Sequence, residues 1–533
     1  MKKATQFYNI LLLILLSLFS FFVNYYYGNI GVFPIDTFAF FDTSYNILID
    51  RHPFRDIWIT TGFLVDYIQA LFFIIFGLNW SSAVIHASII NLLVSLSFYL
   101  ILIRHGLNIF LSFFYSISLS ILCYTVSGTP FAYLHSYAIS LISILIFTLA
   151  IKNKSNYCCF LLPIFMGLSF LCMQTPSTYI NLVLILFALF YFIINFNIKN
   201  IFYFGAGSMF ILCFFILFLI IFEIPFIKFI QQYLLFPITI GENRVVGNEM
   251  AHISLSGRFT LRNVIGHFKF INFFLILIIF LTFINYSKKF KNYLTKEEVI
   301  INLTLFFSGL AFIFNQLLTS NQTFIFSLIP FLAAFSHISL KKIFFEKKIY
   351  NFLIILLVTI STIKYHNVYN IPRKFMDLQK VDLNKSIKAD LIDVKIKNLQ
   401  WITPQFPSDP KKEIKLIKEM IEVLKNDKRK KMIITEYQFF SIILEENLNI
   451  PNRWYTHDNN SYPLENHKYF KFYEDHFMNV IKKGKVEVIY IFGFVTGDEK
   501  IKNFQIYMKD ICFDEKEINE IATSYKLKKC SQT

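Results

Sequence analysis

Charge is scarce in the first two-thirds of this 533-residue chain. Residues 1–365 hold 22 Lys/Arg and 11 Asp/Glu, 33 charges or 9% of the stretch. Soluble domains carry about 25%, so an ordinary soluble enzyme is excluded there. Disorder is excluded too, because 55% of the chain is hydrophobic and 19% aromatic. Seven cysteines form no CxxC, no Cys/His zinc spacing and no haem motif. The apolar part has no Rossmann or P-loop spacing, which removes the usual nucleotide-binding folds. No acid is clearly placed at the middle of an apolar run, and proton-coupled transport usually needs one. There is no internal repeat and no low-complexity linker.

Long apolar runs are abundant. Crossing a bilayer core takes roughly 20 mostly apolar residues. Eleven runs approach that length: 7–26, 81–103, 107–126, 135–151, 157–173, 177–196, 200–222, 268–286, 299–318, 323–340 and 349–365. The first reads as an uncleaved helix, since its core is long and no small-x-small site follows before Tyr25. With a cytoplasmic N-terminus, the inner segments hold 14 basic residues against three acids, as the positive-inside rule requires. An odd number of spans then places the tail outside.

Residues 366–533 contain 29 Lys/Arg and 24 Asp/Glu, 53 charges or about 32%. An amphipathic helix over Glu413–Lys425, strands at Met432–Thr435 and Val486–Gly493, and a helix over Tyr473–Lys482 make this tail a small α/β domain. Cys512 and Cys530 within it can pair in an oxidising compartment. The expected fold is thus a polytopic α-helical membrane protein of about 11 transmembrane helices with a C-terminal extracytoplasmic α/β domain. The net charge of +16 belongs to topology and tail, not to nucleic-acid binding.

Two outer loops are long, 27–80 and 223–267. The first holds Asp36, Asp42, Asp50, Asp56 and Asp66, five of the eleven acids in residues 1–365. Carboxylates among aromatics beside a membrane suit proton abstraction from a hydroxyl at the bilayer surface. The competing account is a solvated loop whose Asp residues cap turns. Leu64–Gly77 in this loop reads as an interfacial helix. The second loop supplies Lys228, Arg244, Arg258 and Arg262, with Glu242, Glu249, His252 and His267. Such basic groups neutralise a phosphate or merely contact headgroups. His86 in the second span reads as a hydrogen-bonded packing residue.

Taken together, Asp36, the stretches Asp42-Thr-Ser-Tyr-Asn-Ile-Leu, His52-Pro-Phe-Arg-Asp56 and Thr61-Gly62-Phe63, and Met173-Gln174-Thr175-Pro176 at the end of the fifth span resemble the GT-C glycosyltransferases. That polytopic class includes protein mannosyltransferases and aminoarabinose transferases of bacterial inner membranes. The resemblance covers chiefly residues 1–200. It implies transfer of a sugar, with inversion, from a polyprenyl-phosphate carrier to an acceptor hydroxyl on the outer face of a bacterial inner membrane, in cell-envelope glycan or lipid modification. Asp36 matches the family's base, and Asp42 and Asp56 match secondary acidic positions. Arg55, His52, Gln174, Arg244 and Arg258 become candidates for substrate binding. Metal use stays open, with Asp36 and Asp42 the candidates for a divalent cation such as Mg or Mn. Three departures stand out: Asp36-Thr37 where the mannosylating branch has Asp-Glu, Asp50 where relatives often have Gly, and Met173 where many have Lys. The rival readings are an O-antigen polymerase or ligase and a transporter or flippase of a lipid-linked glycan.

Overall fold

A computed structural model of the chain describes residues 2–247, 254–285, 293–319, 324–344, 348–456, 459–493 and 497–530. Residues 286–292 and 345–347, which hold part of the basic charge counted for orientation, lie outside the described residues, as do Glu249 and His252. The architecture is mostly helical, with a small sheet near the C-terminus.

Each apolar run of the sequence is occupied by one helix. These are α1 (Lys2–Gly28), α5 (Trp80–Arg104), α6 (Ile109–Leu122), α7 (Ala132–Asn153), α8 (Asn156–Cys172), α9 (Gln174–Ile194), α10 (Ile198–Ile221), α14 (Lys269–Ile284), α15 (Lys296–Thr319), α16 (Leu328–Phe344) and α17 (Lys348–Tyr365). Among the described residues, seven helices are long and apolar enough to cross a membrane: α1, α5, α7, α9, α10, α15 and α17. This marks the chain as membrane-embedded. The other four run 14 to 17 residues, or about 21 to 26 Å at 1.5 Å per residue, short of a core about 30 Å thick. Asn and Ser residues set several helix starts. Asn79, Asn108, Ser155 and Asn197 accept hydrogen bonds from the first-turn amides of α5, α6, α8 and α10, satisfying donors a helix leaves open.

Between α1 and α5 the chain forms α2 (Pro34–Thr37), α3 (Phe41–Leu48) and α4 (Phe63–Phe76). Helix α4 falls where the interfacial helix was expected. Its start needs Gly62, which has φ +77° and whose Cβ would lie 2.7 Å from the Phe40 ring. Between α10 and α14 come α11 (Phe226–Phe229), a π-helical turn over Ile230–Leu235, α12 (Phe236–Val246) and α13 (Leu255–Arg258).

The C-terminal region opens with the two-residue strands β1 (Ile387–Lys388) and β2 (Gln400–Trp401). It continues through α18 (Pro410–Asn426), β3 (Lys431–Thr435), α19 (Phe440–Leu444), α20 (Phe470–Lys483), β4 (Val488–Phe492), α21 (Gly497–Gln505), β5 (Ile511–Asn519) and β6 (Ala522–Lys529). Four strands form one sheet in the order β3-β4-β6-β5, with β3 and β4 parallel and the other pairs antiparallel. Strands β3 and β4 are buried along their length, hence the apolar run Val488–Phe492 of β4 and the apolar centre Met432–Ile434 of β3. Helix α18 buries Ile414, Ile417, Met420 and Leu424 along one stripe. A disulfide joins Cys512 to Cys530 at the open end of the β5–β6 hairpin.

The first loop is not a solvated excursion. Phe38, Phe41, Phe54 and Ile57 share one hydrophobic core with Trp401, Ile433, Tyr437 and Tyr490 of the C-terminal region. Phe38 packs on Trp80, Trp401 and Phe439 with ring centroids 4.9 to 6.0 Å apart. Backbone bonds stitch the same seam: Gly31 and Val32 donate to Gln400 and Ile402, and Trp58 donates to Pro451.

Candidate functional site

A cavity of about 700 Å³ lies where the first loop, the second loop, α9, α15 and the C-terminal region meet. Asp36, Thr60 and Thr61 line it from the first loop, Gln174 and Tyr179 from α9, and Arg244 from α12. Trp454, Thr456 and Ser461 line it from the C-terminal region. Asp36, Gln174 and Arg244, which lie as much as 208 residues apart in the numbering, therefore share one space.

Helix α2 presents Asp36. Pro34 opens this short turn, a position suited to its fixed φ, and the Phe33 amide donates to the Thr37 hydroxyl at 2.9 Å. Trp454 Nε1 donates to the Ile35 carbonyl at 3.1 Å, clamping the turn from the C-terminal side. The Asp36 carboxylate makes no hydrogen bond or ion pair among the described residues. Burial, with nearby Asp377 adding repulsion, pushes its carboxyl up to about 7. Such a group accepts a proton from a hydroxyl near neutral pH.

Gln174 ties the walls together. Its Nε2 donates to the Thr60 carbonyl at 2.7 Å and to the Tyr233 carbonyl at 2.6 Å. Tyr233 in turn donates its hydroxyl to the Phe170 carbonyl at 2.5 Å. Arg244, on the last turn of α12, brings a cation to the same space.

The other candidates lie elsewhere. Asp42, on α3, is buried and accepts from the Ser441 and Ile442 amides at 3.3 and 3.2 Å. It thus caps the start of α19, and burial pushes its carboxyl up to about 7 as well. Asp56 accepts from the His52 amide and from Arg55 Nε at 3.0 and 2.7 Å. Arg55 also pairs with Asp50 and donates to the Phe222 carbonyl. His52 meets the Tyr67 hydroxyl at 2.9 Å and Asp50 at 3.1 Å, and burial holds its ring below the usual imidazole value. Asp50 has φ +60°, a left-handed backbone that Gly adopts freely and Asp tolerates. Buried Arg258 donates to the Leu317 and Leu318 carbonyls, closing the C-terminal end of α15 and holding the cavity wall that Leu318 forms.

Asp66 completes the set of five acids. It forms a fully buried ion pair with Arg453, accepts from Thr43 at 2.5 Å, and so fastens the first loop to the C-terminal region. Arg453 also lies 4.3 Å from the centre of the Phe40 ring and donates to the Thr61 carbonyl. His86 is buried among polar partners, 2.9 Å from Gln69 and 2.8 Å from His135.

Both oxygens of Asp42 accept from the α19 amides, and Asp42 does not line the cavity that Asp36 faces. No group of three or more His, Cys, Asp or Glu able to hold a metal occurs among the described residues. Sequence reasoning missed Trp454, Thr456 and Ser461. The one available signal was Arg453-Trp454, an Arg–aromatic pair in a polar stretch of the tail. No family model matches the chain, and no curated protein matches it.

Proposed function

We propose that the protein is a GT-C-like membrane glycosyltransferase of about 11 transmembrane helices. It moves a sugar from a polyprenyl-phosphate carrier to an acceptor hydroxyl on the outer face of a bacterial inner membrane. The N-terminus is cytoplasmic and the C-terminal region is extracytoplasmic. The observation that carries this reading is the meeting of Asp36, Gln174 and Arg244 on one cavity of about 700 Å³, with the Asp36 carboxylate unbonded among the described residues and its proton affinity near neutrality. The volume lies within the usual range for small-molecule pockets.

In this reading the acceptor hydroxyl approaches Asp36, which takes its proton as the oxygen attacks the sugar carbon. The bond between that carbon and the carrier phosphate breaks on the opposite side, which inverts the configuration. Arg244 stabilises the phosphate that departs with the bonding electrons. Trp454 offers an aromatic wall for a sugar or acceptor ring, and the carrier's chain stays in lipid. The disulfide between Cys512 and Cys530 fits an oxidising compartment.

The test is glycosyl transfer in membranes containing the full chain and a polyprenyl-phosphate sugar. The Asp36→Asn variant should lose transfer while remaining folded. Undiminished transfer would remove Asp36 from the role of base.

A further inference from the structure

A second site lies at the foot of α10. A cleft of about 50 Å³ is lined by Arg51, Arg55 and Asp56 of the first loop, Lys228 of α11, and His476 and Lys483 of α20. It shares no lining residue with the Asp36 cavity. The volume is on the scale of one or two water-sized groups, too small for a sugar ring or a nucleotide.

Four permanent cations thus face one lining carboxylate. Asp56 is already committed to Arg55 and the His52 amide. Among the described residues Arg51 donates to neutral acceptors, the side chains of Asn46 and Asn447 and the carbonyls of Asp56 and Ile450. Lys228 gives one hydrogen to the Arg55 carbonyl, and Lys483 makes no ion pair among the described residues. Burial and the proximity of Lys483 hold Lys228 below the usual lysine value, and the carboxylates nearby, Asp50, Asp56 and Glu223, all pair with Arg55, so the two lysines repel each other. An anion in the cleft would remove that repulsion.

The level of the cleft in the fold identifies the source of the anion. Arg55 Nη1 donates to the Phe222 carbonyl at 3.2 Å, and Phe222 caps α10, a helix long and apolar enough to cross a membrane. Ile220 and Ile221 before this point and Phe226 and Ile227 after it are 60 to 69% exposed. Apolar side chains open to the surroundings thus flank Phe222 on both sides and lead directly into Lys228. This is the pattern expected where acyl chains end and headgroups begin.

We propose that this cleft binds the phosphate of an anionic membrane phospholipid. The acyl chains lie along α10 and the exposed Phe226–Ile227 edge. The lipid bridges three parts of the chain, because its phosphate is held at once by the first loop, the second loop and α20.

The test uses the full chain in nanodiscs of phosphatidylcholine doped with phosphatidylglycerol, released and weighed by native mass spectrometry. Phosphatidylglycerol should be retained in preference to phosphatidylcholine. Retention should fall about fivefold for each lysine removed, in Lys483→Gln and in the double variant with Lys228→Gln. Lys483 is exposed, so its single variant reports binding even if the double variant folds poorly. Asp36→Asn should keep the lipid, which separates this site from the proposed transferase site. A parallel arm measures the melting temperature in phosphatidylcholine discs with inorganic phosphate. Stabilisation there without phosphatidylglycerol retention overturns the lipid assignment in favour of a soluble phosphate. Equal retention of both lipids, or retention unchanged by the lysine variants, overturns the site.

Discussion

Two short helices of the first loop, α2 and α3, carry Asp36 and Asp42 only six residues apart. Burial pushes both carboxyls up to about 7. Their hydrogen-bond inventories are nevertheless opposite. Both oxygens of Asp42 are bonded to the amides that open α19, whereas Asp36 has no such partner and lines the 700 Å³ cavity. A raised proton affinity therefore does not by itself mark a reacting group. What separates the two is whether the lone pairs are already in use.

Four outcomes would break or sharpen that contrast. The largest is on activity: Asp36→Asn should reduce glycosyl transfer by about 10²–10⁴-fold, the range of general-base catalysis. At pH 5, where the wild-type carboxyl holds its proton, its melting temperature should change little, since no bond to the carboxyl is lost. Next is Arg453→Met, which leaves the Asp66 carboxylate buried and unpaired. A loss of about 3–5 kcal/mol of stability is expected, read by thermal unfolding in detergent, and Asp66→Asn together with Arg453→Met should recover part of it. Third, Asp42→Ala should cost about 1–3 kcal/mol by uncapping α19. Transfer per folded molecule should hold nearly constant; a loss as large as that of Asp36→Asn would erase the distinction.

The smallest effect is the pH dependence. Transfer by the wild type should rise with pH and level off above about 7, as Asp36 loses its proton. Stability runs the other way. A carboxyl near 3.8 when unfolded and near 7 when folded holds more protons in the folded state between those values. Its contribution therefore favours folding at low pH and is lost as pH rises from about 4 through 7. Melting temperatures measured at pH 5 and pH 8 should show this slope, flattened in Asp36→Asn and in Asp42→Ala.

Much of the fold was legible in the chain. Helices occupy all eleven apolar runs, and α4, α18, α20, β3 and β4 lie within a few residues of their expected positions, because hydrophobic periodicity and length encode them locally. The β5–β6 hairpin escaped notice. Its strand pattern is interrupted by charges, since β5 exposes Asp514 to Glu517 to solvent. Within the candidate site, Asp36 was legible as an acid in an apolar setting, and so were Gln174 and Arg244. The fate of its four neighbours was not. Asp42, Asp50, Asp56 and Asp66 look alike in a list of acids, yet their partners Ser441, Arg55, His52 and Arg453 decide what each can do.

Composition and spacing alone established an apolar, helical, membrane-embedded body, a charged α/β tail and an unusual concentration of acids in one loop. Those are local properties, fixed by how each short stretch meets water or lipid. Only the tertiary structure decided that the loop and the tail share a single core, that Asp66 pairs with Arg453 across 387 residues, and that Asp36, alone among the five, finds no bonding partner for its oxygens among the described residues lining the cavity. Those outcomes depend on contacts between distant segments, and a buried carboxylate's chemistry is set by the donors that reach it.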